Sequence, residues 1–171
     1  LPFRIFIFDG GWEMGLGKWE VDRTRFPDFR GLIDWLHDEG FKVALWWAPL
    51  HLGPDRQCWP AARYLATGGR TRMTHGIPLI DYSNPPTQKE YLLPLLRRML
   101  SVEPGCYDAD MIKLDFTADK VQRHIRVHDR NLCGEDRYFF EMVRLVAETG
   151  RGFKPDFCFF CLLSDEIKME A

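Results

Sequence analysis

The sequence predicts an α/β fold, part of a (β/α)8 TIM barrel with about four β/α units. Strand-like apolar runs alternate along the chain with segments of helical periodicity, an order typical of a parallel sheet with helical crossovers. Polar and aromatic residues follow successive strands, at the carboxyl ends where such barrels carry their functional side chains. No Gly-x-Gly-x-x-Gly follows a strand, which favours a barrel arc over an open nucleotide-binding sheet.

Four runs have the length and apolar character of strands. A complete barrel needs about 250 residues. This sequence has 171 residues, so residues 1–171 are predicted to be a fragment of a single barrel domain. The predicted strands are Phe3–Phe8, Lys42–Trp47, Met111–Phe116 and Phe157–Leu163.

Three segments between the strands carry apolar residues at helical spacing. Gly40 follows the first segment and Gly150 the third, each in the position of a stop signal. Thr87 and Glu90 form a capping box at the start of the second, and Pro94 should kink it. The predicted helices are Asp28–Glu39, Thr87–Leu100 and Glu135–Thr149.

Composition narrows the classes of partner. A net charge of −2 and a pI near 6.2 give no electrostatic reason to expect nucleic acid or an anionic membrane. No apolar run approaches the ~18 residues of a membrane span, and no signal peptide is visible, which slightly favours a cytoplasmic location. Aromatic residues make up 14 % of the chain and include six Trp, and flat indole rings suit the apolar faces of sugars.

Neither cysteine nor histidine spacing predicts a metal site. The five cysteines are irregularly spaced, and the one C-x-x-C pattern lacks a second pair of ligands, so its cysteines are interpreted as buried strand residues. His124 and His128 are four apart without a third ligand, which indicates a solvated helix face. We therefore expect no metal and no cofactor. The cysteines are Cys58, Cys106, Cys133, Cys158 and Cys161.

The third predicted strand carries the first candidate for catalysis. Strand side chains alternate, so Lys113 and Asp115 share one face while Ile112, Leu114 and Phe116 share the face toward the helices. A neighbouring ammonium lowers the pKa of a carboxyl group by ~1–3 units, which would keep Asp115 ionised as a glycosidic nucleophile must be. A structural ion pair at a strand end explains the same spacing equally well.

Two other strand ends offer residues suited to a sugar. Asp9 can accept hydrogen bonds from hydroxyl groups, and Trp12 can offer a stacking surface after two glycines that permit a sharp turn. A simple Asp-containing turn is the alternative. Trp46 and Trp47 end the second strand, where one indole should face the barrel mouth and the other the helices; parity does not decide which.

Several motifs in order resemble the catalytic barrel of glycoside hydrolase family 36, the α-galactosidase or melibiase-like enzymes, with the family 31 α-glucosidases as relatives. The resemblance runs from about residue 3 to residue 118. The motifs are Phe-Asp-Gly-Gly-Trp12, Gly17-Lys-Trp-Glu-Val-Asp22, Arg25-Phe-Pro-Asp28, Leu36-His-Asp-Glu-Gly-Phe-Lys-Val43, Leu45-Trp-Trp-Ala-Pro49 and Ile112-Lys-Leu-Asp-Phe116.

The resemblance implies a hydrolase that cleaves terminal α-linked sugars from an oligosaccharide or glycoside by a retaining double displacement. It places Asp115 on the nucleophile and Lys113 on a sugar-contacting lysine. Asp9 matches an acid that binds hydroxyl groups of the terminal sugar, and Trp46 matches the tryptophan of the Leu-Trp-x-x-Pro strand end.

The sequence departs from the family pattern at two points. Gly10 stands where many members have a second acid, which bears on galactose specificity. The acid/base aspartate has no clear counterpart; Asp165 and Glu166 follow the fourth strand and come early for that role. The open alternatives are an α-glucosidase or α-glycosyltransferase of the same superfamily, and a non-catalytic carbohydrate-binding remnant.

Overall fold

The structure is a computed structural model that describes residues 4–53, 63–66, 79–116, 126–132 and 135–161. None of the helices within these ranges is both long and apolar enough to cross a membrane. In chain order the elements are β1 (Ile5–Phe8), α1 (Phe29–Asp38), β2 (Lys42–Trp47), α2 (Pro85–Thr87), a π-helical turn (Gln88–Leu92), α3 (Leu93–Leu100), β3 (Met111–Leu114), a 3-10 turn (Arg130–Leu132), α4 (Glu135–Phe153) and β4 (Cys158–Cys161).

The four strands form one parallel sheet in the order β1-β2-β3-β4. Leu45 in the second strand lies beside Phe8 on one side and Ile112 on the other, and Ile112 lies beside Phe159 of the last strand. The predicted parallel α/β order is therefore confirmed. That these strands are an arc of a barrel stays a prediction.

The two faces of the sheet differ in how they are covered. Helices α1 and α4 pack against the sheet, and Leu45 and Ile112 beneath them are fully buried. At the edge of this helix-covered face, Phe6 is 40 % exposed. On the opposite face, Ala44 and Met111 of the inner strands are also buried, whereas the edge-strand residues Ile7 and Phe160 are 42 % and 38 % exposed. An inward barrel surface would have this apolar character, and a surface evolved to face water would not.

The first helix forms as predicted. Asp28 caps its amino end by accepting a hydrogen bond of 2.9 Å from the Gly31 N–H, which satisfies one of the free donors of the first turn. Gly40 follows the carboxyl end with φ +81°, a left-handed value that glycine adopts at little cost.

The second helical segment begins earlier than predicted, and the capping box is wrong. Helix α2 starts at Pro85, where a missing N–H costs nothing, and Thr87 is buried inside the helix and caps nothing. Pro94 is accommodated by the π-helical turn before it, in which the Leu93 N–H bonds to the Gln88 carbonyl. The wider turn relieves the steric clash between the proline ring and the preceding helical turn.

The sequence predicts that the last helix ends before Gly150, and this prediction is wrong. Helix α4 continues to Phe153. A Cβ on Gly150 would lie 2.4 Å from two ring atoms of Phe157. This glycine therefore allows close packing between helix and strand within a continuing helix.

The expectation of buried cysteines in β4 is wrong. Cys158 is exposed and Cys161 is partly exposed. The reason is that β4 has a strand neighbour on one side only among the described residues. Because the two cysteines are three positions apart on one strand, they lie on opposite faces and cannot ligate one metal ion together.

Candidate active site at the carboxyl ends of the strands

The structure brings four sequence-predicted residues together at one edge of the sheet. Asp9 directly follows β1, Trp46 lies near the end of β2 beside Lys113 of β3, and Asp115 directly follows β3. Strand alternation puts these side chains on the face opposite the helices. Three adjacent strands therefore contribute to one site.

Both carboxylate oxygens of Asp115 accept hydrogen bonds. The Trp46 indole Nε1 donates to Oδ2 at 2.7 Å, and the Phe116 backbone N–H donates to Oδ1 at 2.8 Å. The Asp115 N–H in turn donates to the Trp47 carbonyl at 2.9 Å, which extends the β2–β3 pairing by one residue. The carboxylate is half-buried, fixed in orientation and still reached by solvent.

The sequence predicts an ion pair between Lys113 and Asp115. In the structure Lys113 pairs with Asp9 instead. Its Nζ lies 2.8 Å from Asp9 Oδ2, with side-chain exposures of 19 % and 65 %. The hydrogen bond from Lys113, helped by the Gly10 N–H, lowers the pKa of Asp9. A lysine is long enough to reach across the middle strand, and both oxygens of Asp115 already have donors.

The two adjacent tryptophans divide their roles. Trp46 faces the site, is 7 % exposed and has its ring 3.5 Å from the point where a Cβ on Gly10 would stand. Trp47 is fully buried and packs edge-on against Tyr82. In this structure Trp46 orients the nucleophile candidate, and its small exposed area leaves little ring surface for a sugar.

The prediction that Trp12 offers a stacking surface is wrong. Its ring is 1 % exposed and lies parallel to that of Phe29 at 5.7 Å. Its Nε1 donates to the Trp46 carbonyl at 2.9 Å. Gly11, with φ +102°, turns the chain so that the indole enters the core between sheet and helix.

The sequence did not reveal the positions of Phe116 and His51. Phe116 was assigned to the helix-facing side, but the strand ends at Leu114, and alternation stops where the extended backbone stops. With φ +50°, Phe116 turns its half-exposed ring to within 6.0 Å of the Trp46 ring. His51 packs on its other side at 5.2 Å.

His51 is a buried titratable group close to Asp115. Burial lowers its pKa to about 4, although the Asp115 carboxylate acts in the opposite direction. The imidazole is therefore neutral at neutral pH. Only its nearness in sequence to the Trp-Trp strand end could have drawn attention to it.

A second cluster lies at the opposite, amino ends of the strands. Ligand-type atoms of Asp34, His37 and Asp108 lie within 4.8 Å of one another. Arg30 bonds to both aspartates, at 2.7 and 3.1 Å, and Lys154 bonds to Asp108. Protein cations therefore already neutralise these carboxylates, which speaks against a metal ion at this position.

Two curated proteins illustrate the sequence matches. The α-xylosidase XylQ of Lactiplantibacillus pentosus is 40 % identical over 52 residues, which cover 29 % of this chain and 7 % of that protein. The 1,4-α-glucan branching enzyme GlgB of Mycobacterium tuberculosis is 31 % identical over 88 residues, covering 50 % of this chain and 10 % of that protein. No family model matches the chain.

Solved structures match over nearly the whole chain. The family 36 α-galactosidase AgaB of Geobacillus stearothermophilus has a TM-score of 0.68 at 18 % identity, covering 92 % of this chain and 23 % of that one. A family 31 α-xylosidase from a soil metagenome, solved with xylose, has a TM-score of 0.68 at 13 % identity, covering 94 % and 27 %.

At these identities the structural likeness shows the fold. The chain spans about a quarter of each of these two solved structures and a tenth or less of the two curated relatives. The chain therefore shares its fold with part of glycoside hydrolases of families 36 and 31. Its assignment to one of those families stays a prediction.

Proposed function

We propose that the chain is part of the catalytic barrel of a retaining α-glycosidase in which Asp115 is the nucleophile. The observation that carries the proposal is the Asp115 carboxylate itself. It stands at the carboxyl end of an inner strand, half-buried, with a separate donor on each oxygen. A nucleophilic carboxylate must be held in line with the anomeric carbon, and a donor on each oxygen fixes its orientation.

The neighbouring Asp9–Lys113 pair supports a sugar-binding role. The pair is largely at the surface of the site, with Asp9 mostly exposed and kept in its ionised form. A carboxylate and an ammonium side by side offer an acceptor and a donor to adjacent sugar hydroxyl groups. In the proposed reaction these groups bind the sugar whose anomeric carbon faces Asp115.

Three features of the sheet support the proposed partial barrel. All four strands are parallel, the helices cover one face, and the apolar residues Ile7 and Phe160 remain exposed on the other. The site lies at the carboxyl ends, where barrel enzymes act. The family 36 and family 31 enzymes named above share this fold with the chain.

The first displacement can be written for this site. A lone pair of an Asp115 carboxylate oxygen forms a bond to the anomeric carbon, and the bond to the leaving oxygen breaks with its electron pair. A second carboxyl group must protonate that oxygen and later activate water. Asp165 and Glu166, which the sequence offers for this role, lie outside the described residues.

An activated fluoride probe tests the nucleophile without the acid. With a 5-fluoro-α-galactosyl fluoride, Asp115 displaces fluoride, which leaves with its electron pair and needs no proton donor. We expect mass spectrometry to show one glycosyl group on the peptide that contains Asp115. Asp115→Asn should abolish labelling, while Asp34→Asn, an exposed acid on α1, should leave it unchanged.

The proposal fails if the full-length protein is unlabelled or is labelled at another residue. A carbohydrate-binding remnant would bind sugar equally well in the wild type and in the Asp115→Asn variant, with no covalent product. A transferase, the reading that the match to a branching enzyme favours, would form the same covalent product and pass the sugar to an added oligosaccharide faster than to water.

We propose galactose as the sugar because the motifs resemble family 36 and the fold matches a family 36 α-galactosidase, with xylose or glucose as the second candidate. Gly10 and the local match to an α-xylosidase favour the second candidate, because position 10 offers no acid to bind a further hydroxyl group. Comparing labelling rates with galactosyl, xylosyl and glucosyl 5-fluoro-fluorides separates them. Slower labelling by the galactosyl probe than by either other probe would overturn the galactose assignment.

A further inference from the structure

Phe116 has an unusual backbone conformation for its residue type. Its φ is +50°, in the left-handed region, and it is one of three non-glycine residues with positive φ in the described ranges, the others being Trp19 and Asp108. Large side chains rarely adopt this region, and such residues persist where the surrounding structure holds them, often at functional sites.

Phe116 makes two kinds of contact around this backbone conformation. Its N–H, which lies in the peptide plane shared with Asp115, donates to Asp115 Oδ1 at 2.8 Å. Rotation about the N–Cα bond sets where the ring lies relative to that N–H, and at +50° the ring turns back toward β2 and the loop after it. A residue continuing the extended strand would place its side chain on the helix-facing side instead.

Two aromatic neighbours hold the ring in place. The Trp46 ring meets it edge-on, with centroids 6.0 Å apart and planes at 86°, and the His51 ring lies 5.2 Å away at 65°. Such edge-to-face pairs are favourable contacts. His51 is buried, and burial keeps its pKa low, so it meets the ring as a neutral imidazole.

Trp46 and Phe116 thus touch each other while each donates to a different oxygen of Asp115. These three residues hold one another, which leaves the Asp115 carboxylate little freedom to rotate. Because 48 % of Phe116 is exposed, core packing alone does not account for the position of its ring.

We propose that Phe116 is a positioning residue. Its ring is anchored against Trp46 and His51, and the left-handed φ links that anchored ring to the preceding peptide plane, so that the N–H stays on Asp115 Oδ1 and fixes the carboxylate for attack. The inference rests on the proposed function for its catalytic meaning. Its structural part, the N–H bond held by the ring, stands without that function.

Phe116→Leu and Phe116→Tyr separate positioning from folding. Leucine disfavours a positive φ as much as phenylalanine does, but it lacks the ring contacts that hold the backbone there. The backbone of the variant should therefore relax, and the N–H of residue 116 should move away from Asp115. We expect the saturating rate of labelling by the 5-fluoro fluoride to fall by roughly tenfold or more, with the probe's dissociation constant unchanged within about twofold. Tyrosine keeps the ring and should restore the wild-type rate.

Phe140→Leu is the matched control. Phe140 is 45 % exposed on α4, close to the 48 % of Phe116, and its ring packs against Phe139 of the same helix. It should label at the wild-type rate. A wild-type rate in Phe116→Leu, or an equal loss in Phe116→Tyr, would overturn the proposal.

Amide hydrogen exchange gives a readout that needs no reaction. In the wild type the Phe116 N–H should be protected, and Asp115→Ala or Phe116→Leu should speed exchange at position 116 by about tenfold. Equal exchange in all three proteins would overturn the proposal. If the wild type shows this protection but no labelling by any probe, the glycosidase function fails and the positioning geometry remains.

Discussion

The two ends of the sheet carry similar residue types and use them differently. At the amino ends, Asp110 accepts from His37 and Lys42 at 2.8 Å and from the Val43 N–H at 2.9 Å, with 12 % of its side chain exposed. At the carboxyl ends, the Asp9 side chain has one ammonium partner and is 65 % exposed. The amino-end carboxylate has three protein donors and little exposed surface, and the carboxyl-end one has a single donor on each oxygen and stays open to solvent.

The difference indicates a division of labour. A nearly buried carboxylate whose acceptor sites are mostly used by protein donors stabilises the chain and has little capacity left for a ligand. Asp115 is intermediate, because each oxygen has one donor and the group is half-buried. Stability should therefore depend on the amino ends, and ligand binding and chemistry on the carboxyl ends.

The largest stability effect is expected from packing beside the amino end of β4. In Gly150→Ala the new methyl group would collide with the Phe157 ring, 2.4 Å away. We expect a loss of about 2 kcal/mol in the free energy of unfolding, measured by urea denaturation. Probe labelling of the folded protein should not change.

Gly152→Ala is its control on the same helix. A Cβ there would meet nothing within 4 Å, so the better helix propensity of alanine should stabilise the protein by about 0.5–1 kcal/mol. Equal effects of the two substitutions would show that Phe157 yields to the methyl group, and that packing at this end is looser than the structure indicates.

Asp110→Asn should have the next largest effect. Burial alone would raise the pKa of Asp110, but the hydrogen bonds from Lys42, Val43 and His37 outweigh it and lower the pKa. A depressed folded-state pKa stabilises the protein above the unfolded value of about 3.9 and ceases to do so as the pH falls through the folded value. We expect a loss of about 1.5 kcal/mol at pH 7.

The same variant gives the pH test. The stability curves of wild type and Asp110→Asn, measured by urea unfolding from pH 7 downward, should converge below about pH 4. A constant gap down to pH 2 would mean that the ionised form of Asp110 is not what stabilises the amino end.

The sequence predicts the strands and the first helix well because their signals are local. Apolar runs mark the strands, and Asp28 and Gly40 mark the ends of α1 through contacts within a few residues. The gathering of Asp9, Trp46 and Asp115 also follows locally, since parallel strands bring their carboxyl ends to one edge.

The errors come from contacts that the local pattern does not reveal. Gly150 has the local form of a stop signal, but the helix continues through it, and the Phe157 ring packs where a side chain would stand. The partner of Lys113 is Asp9, 104 positions earlier. The left-handed backbone at Phe116 is held by tertiary contacts. No glycine or asparagine at that position marks it in the sequence.

Asp9→Asn should have the smallest effect on stability and a clear effect on ligand binding. An exposed pair such as Asp9–Lys113 contributes about 0.5 kcal/mol or less, so the urea midpoint should barely move. Affinity for a simple α-glycoside, measured by calorimetric titration, should fall about tenfold, because a charged acceptor for a sugar hydroxyl group is lost. Asp110→Asn should lower the stability and leave the affinity for the glycoside unchanged, measured at pH 7, where the variant is still folded. If Asp9→Asn costs as much stability as Asp110→Asn and leaves affinity intact, the carboxyl-end pair is a structural ion pair, and the division between the two ends of the sheet does not hold.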